Sequence, residues 1–156
     1  MNYLQTELDL IRDEGIRLRA YKCTAGHLTI GVGHKLTPRE IQADMTTISL
    51  EQAGYLLHQD IGLALAGCYG IYGRWAFDGF SEPRQRALVN MCFQMGTKGL
   101  SDFKRMNAAI MRGDWATAHK EALDSKWAKS DSPARAKRVA LVLKADVDER
   151  TMRGTA

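Results

Sequence analysis

Residues 13–34 read DEGIRLRAYKCTAGHLTIGVGH, and a change of period inside that stretch decides the fold. Before it, Leu4, Leu8 and Ile11 recur at i, i+4 and i+7, which predicts a helix over residues 3–13 with one apolar stripe. The helix is expected to end at Glu14-Gly15, because glycine is the usual residue just past a helix end. Further on, Leu28, Ile30 and Val32 alternate with His27, Thr29, Gly31 and Gly33. That is the period of a strand, and Ala25-Gly26 predicts a hairpin turn ahead of it. Thr29 is expected to face away from the strand's apolar side, in the company of the two glycines.

Downstream the periodicity is helical. Thr37-Pro38-Arg39-Glu40 has threonine at the N-cap, proline at the first helical position and glutamate at the third, a capping-box start. Ser49 and Gln52 predict a second capping box at the head of a long helix reaching about Tyr69. Residues 70–79 combine glycines with aromatics and are expected to form a joint. Pro83 opens a helix that should stop at Gly96. Asp102 to Met111 reads as a short helix, Asp114 as the cap of the next, and Ser132-Pro133 as the start of the last. One helix, a small antiparallel sheet, a long helix and then a run of helices make an α+β chain with segregated elements. A cleft between two lobes is the expected ligand site.

Of the 156 residues 45% are hydrophobic, enough for a real core, and 26% are charged. No apolar run reaches the length of a membrane span, and the first residues lack the basic and apolar regions of a secretory signal. The expectation is a protein with no signal peptide that accumulates in the cytoplasm where it is made. Three cysteines, Cys23, Cys68 and Cys92, form no metal-ligand spacing and predict reduced thiols, the last two buried. The net charge of +4 suits an anionic polymer. Much of it comes from Lys126, Lys129, Arg135, Lys137 and Arg138, which read equally well as a solvated helix face.

Reactive side chains concentrate between Asp13 and His34. Glu14 sits at a predicted helix C-terminus, where the helix dipole disfavours a carboxylate. Burial against Leu18 or Tyr21 would act in the same sense. Both effects keep a proton available for general acid catalysis. Glu14, Cys23 and Thr29 are separated by eight and then five residues. This spacing resembles the catalytic signature of the phage-type lysozymes, the endolysin family of muramidases, in which the middle residue is Asp or Cys. Asp13-Glu14-Gly15, Tyr21-Lys22, Thr29-Ile30-Gly31 and Gly33-His34 resemble that family's N-terminal lobe. Residues 87–96 resemble its central helix. Ser125-Lys126-Trp127 and the run from Pro133 to Val139 resemble its C-terminal region.

The resemblance implies a single lysozyme-like domain over residues 1–156. It would have an N-terminal lobe at about 12–60, a long connecting helix, and a helical lobe at about 75–150 joined by helix 3–13. It implies hydrolysis of the β-1,4 bond between N-acetylmuramic acid and N-acetylglucosamine, with Glu14 protonating the glycosidic oxygen. Cys23 stands where close relatives carry Asp. A thiol is mostly protonated at neutral pH, and a neighbouring Glu is expected to raise its pKa further. Cys23 either helps Thr29 hold the attacking water as a weak base or attacks covalently. Gly33, Lys35, Phe93, Gln94 and Arg135 fall on implied substrate positions, and Met106 and Glu121 depart from the family's residues at cleft positions. His34 and Asp60 match a structural salt bridge. No cofactor or metal is implied. Peptidoglycan is the implied partner, met by a monomer that needs a separate holin to reach the wall and has no nucleic-acid or stable membrane association.

Other function classes make different demands. A nucleic-acid-binding protein could use Arg135, Lys137 and Arg138, but basic and aromatic residues do not interleave. A cysteine hydrolase would pair Cys23 with His27 or His34, with no evident orienting group. A metal site from the same three residues has no known spacing. A glycan-binding scaffold that does not cut would not require Glu14.

Overall fold

A computed structural model describes residues 1–148. Residues 149–156, the end of the expected domain and of its helical lobe, lie outside the described residues. The described residues divide into two compact units, one of residues 3–63 and one of residues 1–2 with 64–148.

The first unit opens with α1 (Tyr3–Glu14), closed as expected by Gly15 at φ 72°, with the Gly15 N–H donating to the Ile11 carbonyl at 2.9 Å. The expected apolar stripe does not pack: Leu4 is 67% and Leu8 50% exposed. The helix instead buries Gln5, Thr6 and Leu10. Thr6, Leu10 and Asp13 lie at i, i+4 and i+7 on the other side, and the Asp13 side chain is only 1% exposed. Counting apolar residues missed a face that includes Thr6 and Asp13. The contacts group α1 with the sheet.

The sheet has three antiparallel strands in the order β1 (Arg17–Lys22), β2 (Leu28–Gly31), β3 (His34–Lys35). The Gly26 turn at φ 83° joins β1 to β2. β2 is shorter than the alternation suggested, because Val32 and Gly33 form the turn into β3 rather than continuing the strand. Ile30 packs with Ile48, Ala53 and Leu56. Thr29 does not face solvent either and is 3% exposed.

α2 (Pro38–Gln42) has both halves of its capping box. α3 (Leu50–Tyr72) begins with Ser49 Oγ accepting from Gln52 N–H, while Gln52 Oε1 accepts from Ser49 N–H. α3 runs three residues past its expected end, then turns at Gly73 (φ 78°) into α4 (Arg74–Asp78). The expected joint is therefore largely helical.

In the second unit, α5 (Glu82–Ser101) breaks at Gly96, where φ 78° and ψ 167° leave the helical region. α6 (Lys104–Met111), α7 (Trp115–Leu123) and α8 (Pro133–Ala145) follow, with Asp114 accepting from Thr117 N–H at the head of α7. A π-helical turn over Trp127–Asp131, which no periodicity announced, precedes α8. Leu88, Met91, Leu100, Ile110, Val139 and Leu143 are core residues of this unit. The mixed α+β class expected from the sequence is the class observed.

Candidate active site

Strand pairing sets the site in the first unit. Thr29 lies opposite Tyr21 on one side and Lys35 on the other. Directly opposed residues share a face of a sheet, so Tyr21, Thr29 and Lys35 project together. The Thr29 hydroxyl donates to the His27 carbonyl at 3.0 Å. Arg17 stacks on the Tyr21 ring at 4.4 Å. The Tyr21 phenol is raised above its usual range by burial first, then by Glu14, with Cys23 adding to it and Arg17 opposing. Tyr21 thus feels both Glu14 and Cys23. The sequence reading considered it only as a neighbour of Glu14.

Glu14 lies against the β2–β3 turn. A Cβ added to Gly33 would stand 3.0 Å from both Cδ and Oε2 of Glu14. Gly33 also has φ 66°, so two independent constraints favour glycine there. Gly31 is spaced by Ile48 and Ala53 instead.

Cys23 closes the loop before β2, its N–H donating to His27 O and its carbonyl accepting from Gly26 N–H. Burial pushes the thiol pKa up and is the largest single influence. The backbone N–H groups of His27 and Ala25, the Thr29 hydroxyl and the Lys35 charge together outweigh it, and the net shift is downward. This corrects the expectation of a thiol raised by its surroundings: donors to sulfur favour the thiolate. The sequence reading weighed charges and could not see backbone donors in the loop.

His34 is fixed from both ring nitrogens. Nδ1 is 2.7 Å from Asp60 Oδ2 and Nε2 is 3.2 Å from both Glu40 oxygens. The hydrogen bond to Asp60 is the main reason its pKa is pushed up to about 9, against a smaller opposing effect of burial and with Glu40 assisting. The second partner, Glu40, was not foreseen. Its Oε2 also accepts from Thr37 N–H at 2.7 Å.

The second unit holds the remaining positions. Gln94 donates from Nε2 to Ser132 Oγ at 2.6 Å and accepts from Trp127 Nε1 at 2.8 Å. Phe93 is half-buried. Arg135 is buried and donates from Nε to Asn90 Oδ1 at 2.8 Å. A cavity of about 620 Å³ is lined by Phe103, Met106, Glu121 and Trp127, among others. Met106 and Glu121 therefore share one pocket. Within the basic run, Lys126 pairs with Asp131 at 3.1 Å and Lys129 pairs with Asp124. Cys68 and Cys92 are buried as expected. Among the described residues no group of three His, Cys, Asp or Glu is arranged to hold a metal ion, and no helix is long and apolar enough to cross a membrane.

A family model for phage lysozyme matches residues 12–144. The chain belongs to the phage lysozyme family. The family is one of peptidoglycan-hydrolysing glycoside hydrolases. Among curated proteins, the chain is 33% identical over 155 residues to the pre-baseplate central spike protein Gp5 of Enterobacteria phage T4, covering 86% of this chain and 26% of that protein. It therefore spans about a quarter of the spike protein's length. Two probable T4-type lysozymes of Dictyostelium discoideum, numbered 2 and 1, are each 29% identical to it. They match 81% and 84% of the chain and 86% and 88% of their own lengths.

Proposed function

We propose that this phage lysozyme hydrolyses the β-1,4 bond between N-acetylmuramic acid and N-acetylglucosamine in bacterial peptidoglycan. The observation that carries the reading is the placement of Glu14: its carboxyl lies against Gly33 at the β2–β3 turn, close enough that an added Cβ would stand 3.0 Å from it. Glu14 gives its proton to the glycosidic oxygen as the bond to the anomeric carbon breaks. Positive charge develops on the sugar ring, and water adds at the anomeric carbon. Thr29 orients that water, and the Cys23 thiolate takes its proton. The cycle leaves Glu14 ionised and Cys23 protonated, and exchange with solvent resets both. Gly33, Lys35, Phe93, Gln94 and Arg135 are the proposed contacts to the glycan and its peptide. No cofactor takes part. His34 and Asp60 hold the β2–β3 turn in place.

A second reading has support from the donors around the Cys23 sulfur. In it, sulfur attacks the anomeric carbon directly, and water later releases the sugar. The anomer of the first product separates the two, with net inversion supporting the water route and net retention the covalent one.

The test of the main reading is lysis of outer-membrane-permeabilised cells by wild type, Glu14→Gln and Cys23→Ala, with folding checked by circular dichroism. A folded Glu14→Gln that lyses normally overturns it. Host lysis by a monomeric endolysin, released from the cytoplasm with the help of a separate holin, completes the proposal. Co-purification of the chain with finished phage particles would overturn that role and leave the chemistry intact.

A further inference from the structure

The segment of residues 70–79 takes no part in the chemistry above. It holds Trp75 at 93% exposure, more than any other exposed large apolar side chain among the described residues. Tryptophan usually buries most of its surface, so nothing in the packing of α4 accounts for it. The backbone around it is bare: Gly70, Gly73 and Gly79 are exposed, and a Cβ on Gly70 or Gly73 would meet nothing within 4 Å. The polar border is already organised. Arg74 lies 5.2 Å over the Tyr69 ring, the Tyr69 hydroxyl donates to Asp78 Oδ1 at 3.0 Å, and Arg74 Nε is 3.7 Å from Asp78 Oδ2.

We propose that Trp75, with Arg74 and Asp78 at its edge, is an auxiliary platform on which a sugar ring of the peptidoglycan strand stacks, separate from the residues that carry the chemistry. The inference rests on the proposed function. The C–H face of a pyranose is weakly positive and apolar and meets the negative face of an indole. The sugar's hydroxyl and acetamido groups need donors and acceptors at the rim, which Arg74 and Asp78 supply. Their charges cancel, which suits an uncharged N-acetylglucosamine unit. An anionic bilayer or a nucleic acid would instead select a net positive patch. A protein partner would need roughly 1,200 Å² or more of interface, far beyond one indole among glycines. A second hold on a polymer keeps the enzyme on its substrate between cuts.

The test is co-sedimentation with purified sacculi in the Glu14→Gln background, so that the wall stays intact. Trp75→Ala should raise the apparent Kd about three- to tenfold, the range of an aromatic stacking contact, and Trp75→Phe should recover most of the loss. Circular dichroism should match the parent for both. Retention of Trp75→Ala equal to its parent overturns the inference. So does a variant that loses binding to phosphatidylglycerol vesicles while keeping its hold on sacculi, because the surface then belongs to lipid. A wild type that neither binds nor cuts sacculi fails the proposed function itself, and this inference with it.

Discussion

The carboxyl of Glu14 rests on the Cα of Gly33: a methyl group at residue 33 would stand 3.0 Å from the carboxyl carbon. The turn that joins β2 to β3 is thus a wall of the site as well as a connection. Gly33→Ala must move either the turn or the carboxyl, and it also places a side chain at φ 66°. We expect a stability loss of about 1–2 kcal/mol and a fall in lysis of tenfold or more, since a displacement of about 1 Å at a reacting group costs up to about 100-fold. Gly113→Ala is the control. Gly113 has φ 73° but nothing within 4 Å of an added Cβ, so it should lose stability while keeping activity. Thermal melts and turbidity assays of the two variants check this.

His34 predicts a pH dependence of stability. Its folded pKa of about 9 lies above the ordinary 6.5, so folding favours the protonated ring. The stabilisation is complete below about pH 6.5 and is lost as the pH rises through about 9. At most it is about 3 kcal/mol for such a shift. The gap in melting temperature between wild type and His34→Asn should therefore be wide at pH 6 and narrow by pH 9.5. A gap that widens with pH would contradict the assignment.

Lys35 acts on the Cys23 thiol through its charge. Lys35→Gln should raise the thiol pKa and slow alkylation of Cys23 by iodoacetamide at pH 7, by roughly two- to threefold for a partly screened charge. Thr29→Val removes the hydroxyl that lowers the Cys23 pKa and should act in the same sense. Cys68 and Cys92 are buried and should label slowly in all three proteins. The alkylation rate as a function of pH gives the shift directly.

Gln94 joins the indole of Trp127 to Ser132 at the head of α8. Trp127 is 5% exposed, so Gln94→Leu leaves a buried N–H without its acceptor. The expected cost is about 1–3 kcal/mol, read as a lowered midpoint in urea. Gln94→Glu keeps an acceptor for the indole and should cost less.

Much of the fold could be read from local signals. The Gly15 helix end and the Thr37 and Ser49 capping boxes involve residues within a few positions of each other, so spacing alone carries them. The face of α1 could not be read that way. Leu4 and Leu8 form the better apolar stripe, but the packed side includes Thr6 and Asp13, and their burial depends on tertiary surroundings that a helical period does not encode. The π-helical turn at Trp127 has no sequence signal, because its hydrogen bonds span one residue more than those of an α-helix and the apolar period of an α-helix does not encode it. At the candidate site, the spacing of Glu14, Cys23 and Thr29 named three residues that all lie in the first unit. The lowered thiol pKa arises from backbone N–H groups, and every residue but proline has one, so no residue pattern announces it. Glu40 was recognised as half of a capping box, and that explanation concealed its contact with His34.

That double engagement of Glu40 narrows what evolution can place there. As a helix-start device, residue 40 accepts either glutamate or glutamine, since both can reach back to the Thr37 N–H. As a partner of a protonated imidazole, it adds to the Asp60 charge only if it is itself negative, which glutamine is not. Aspartate keeps the charge but falls one methylene short of the reach. Of the residues that a capping motif would treat as interchangeable, one satisfies both neighbours, and a substitution scored as harmless by the motif would be felt at His34.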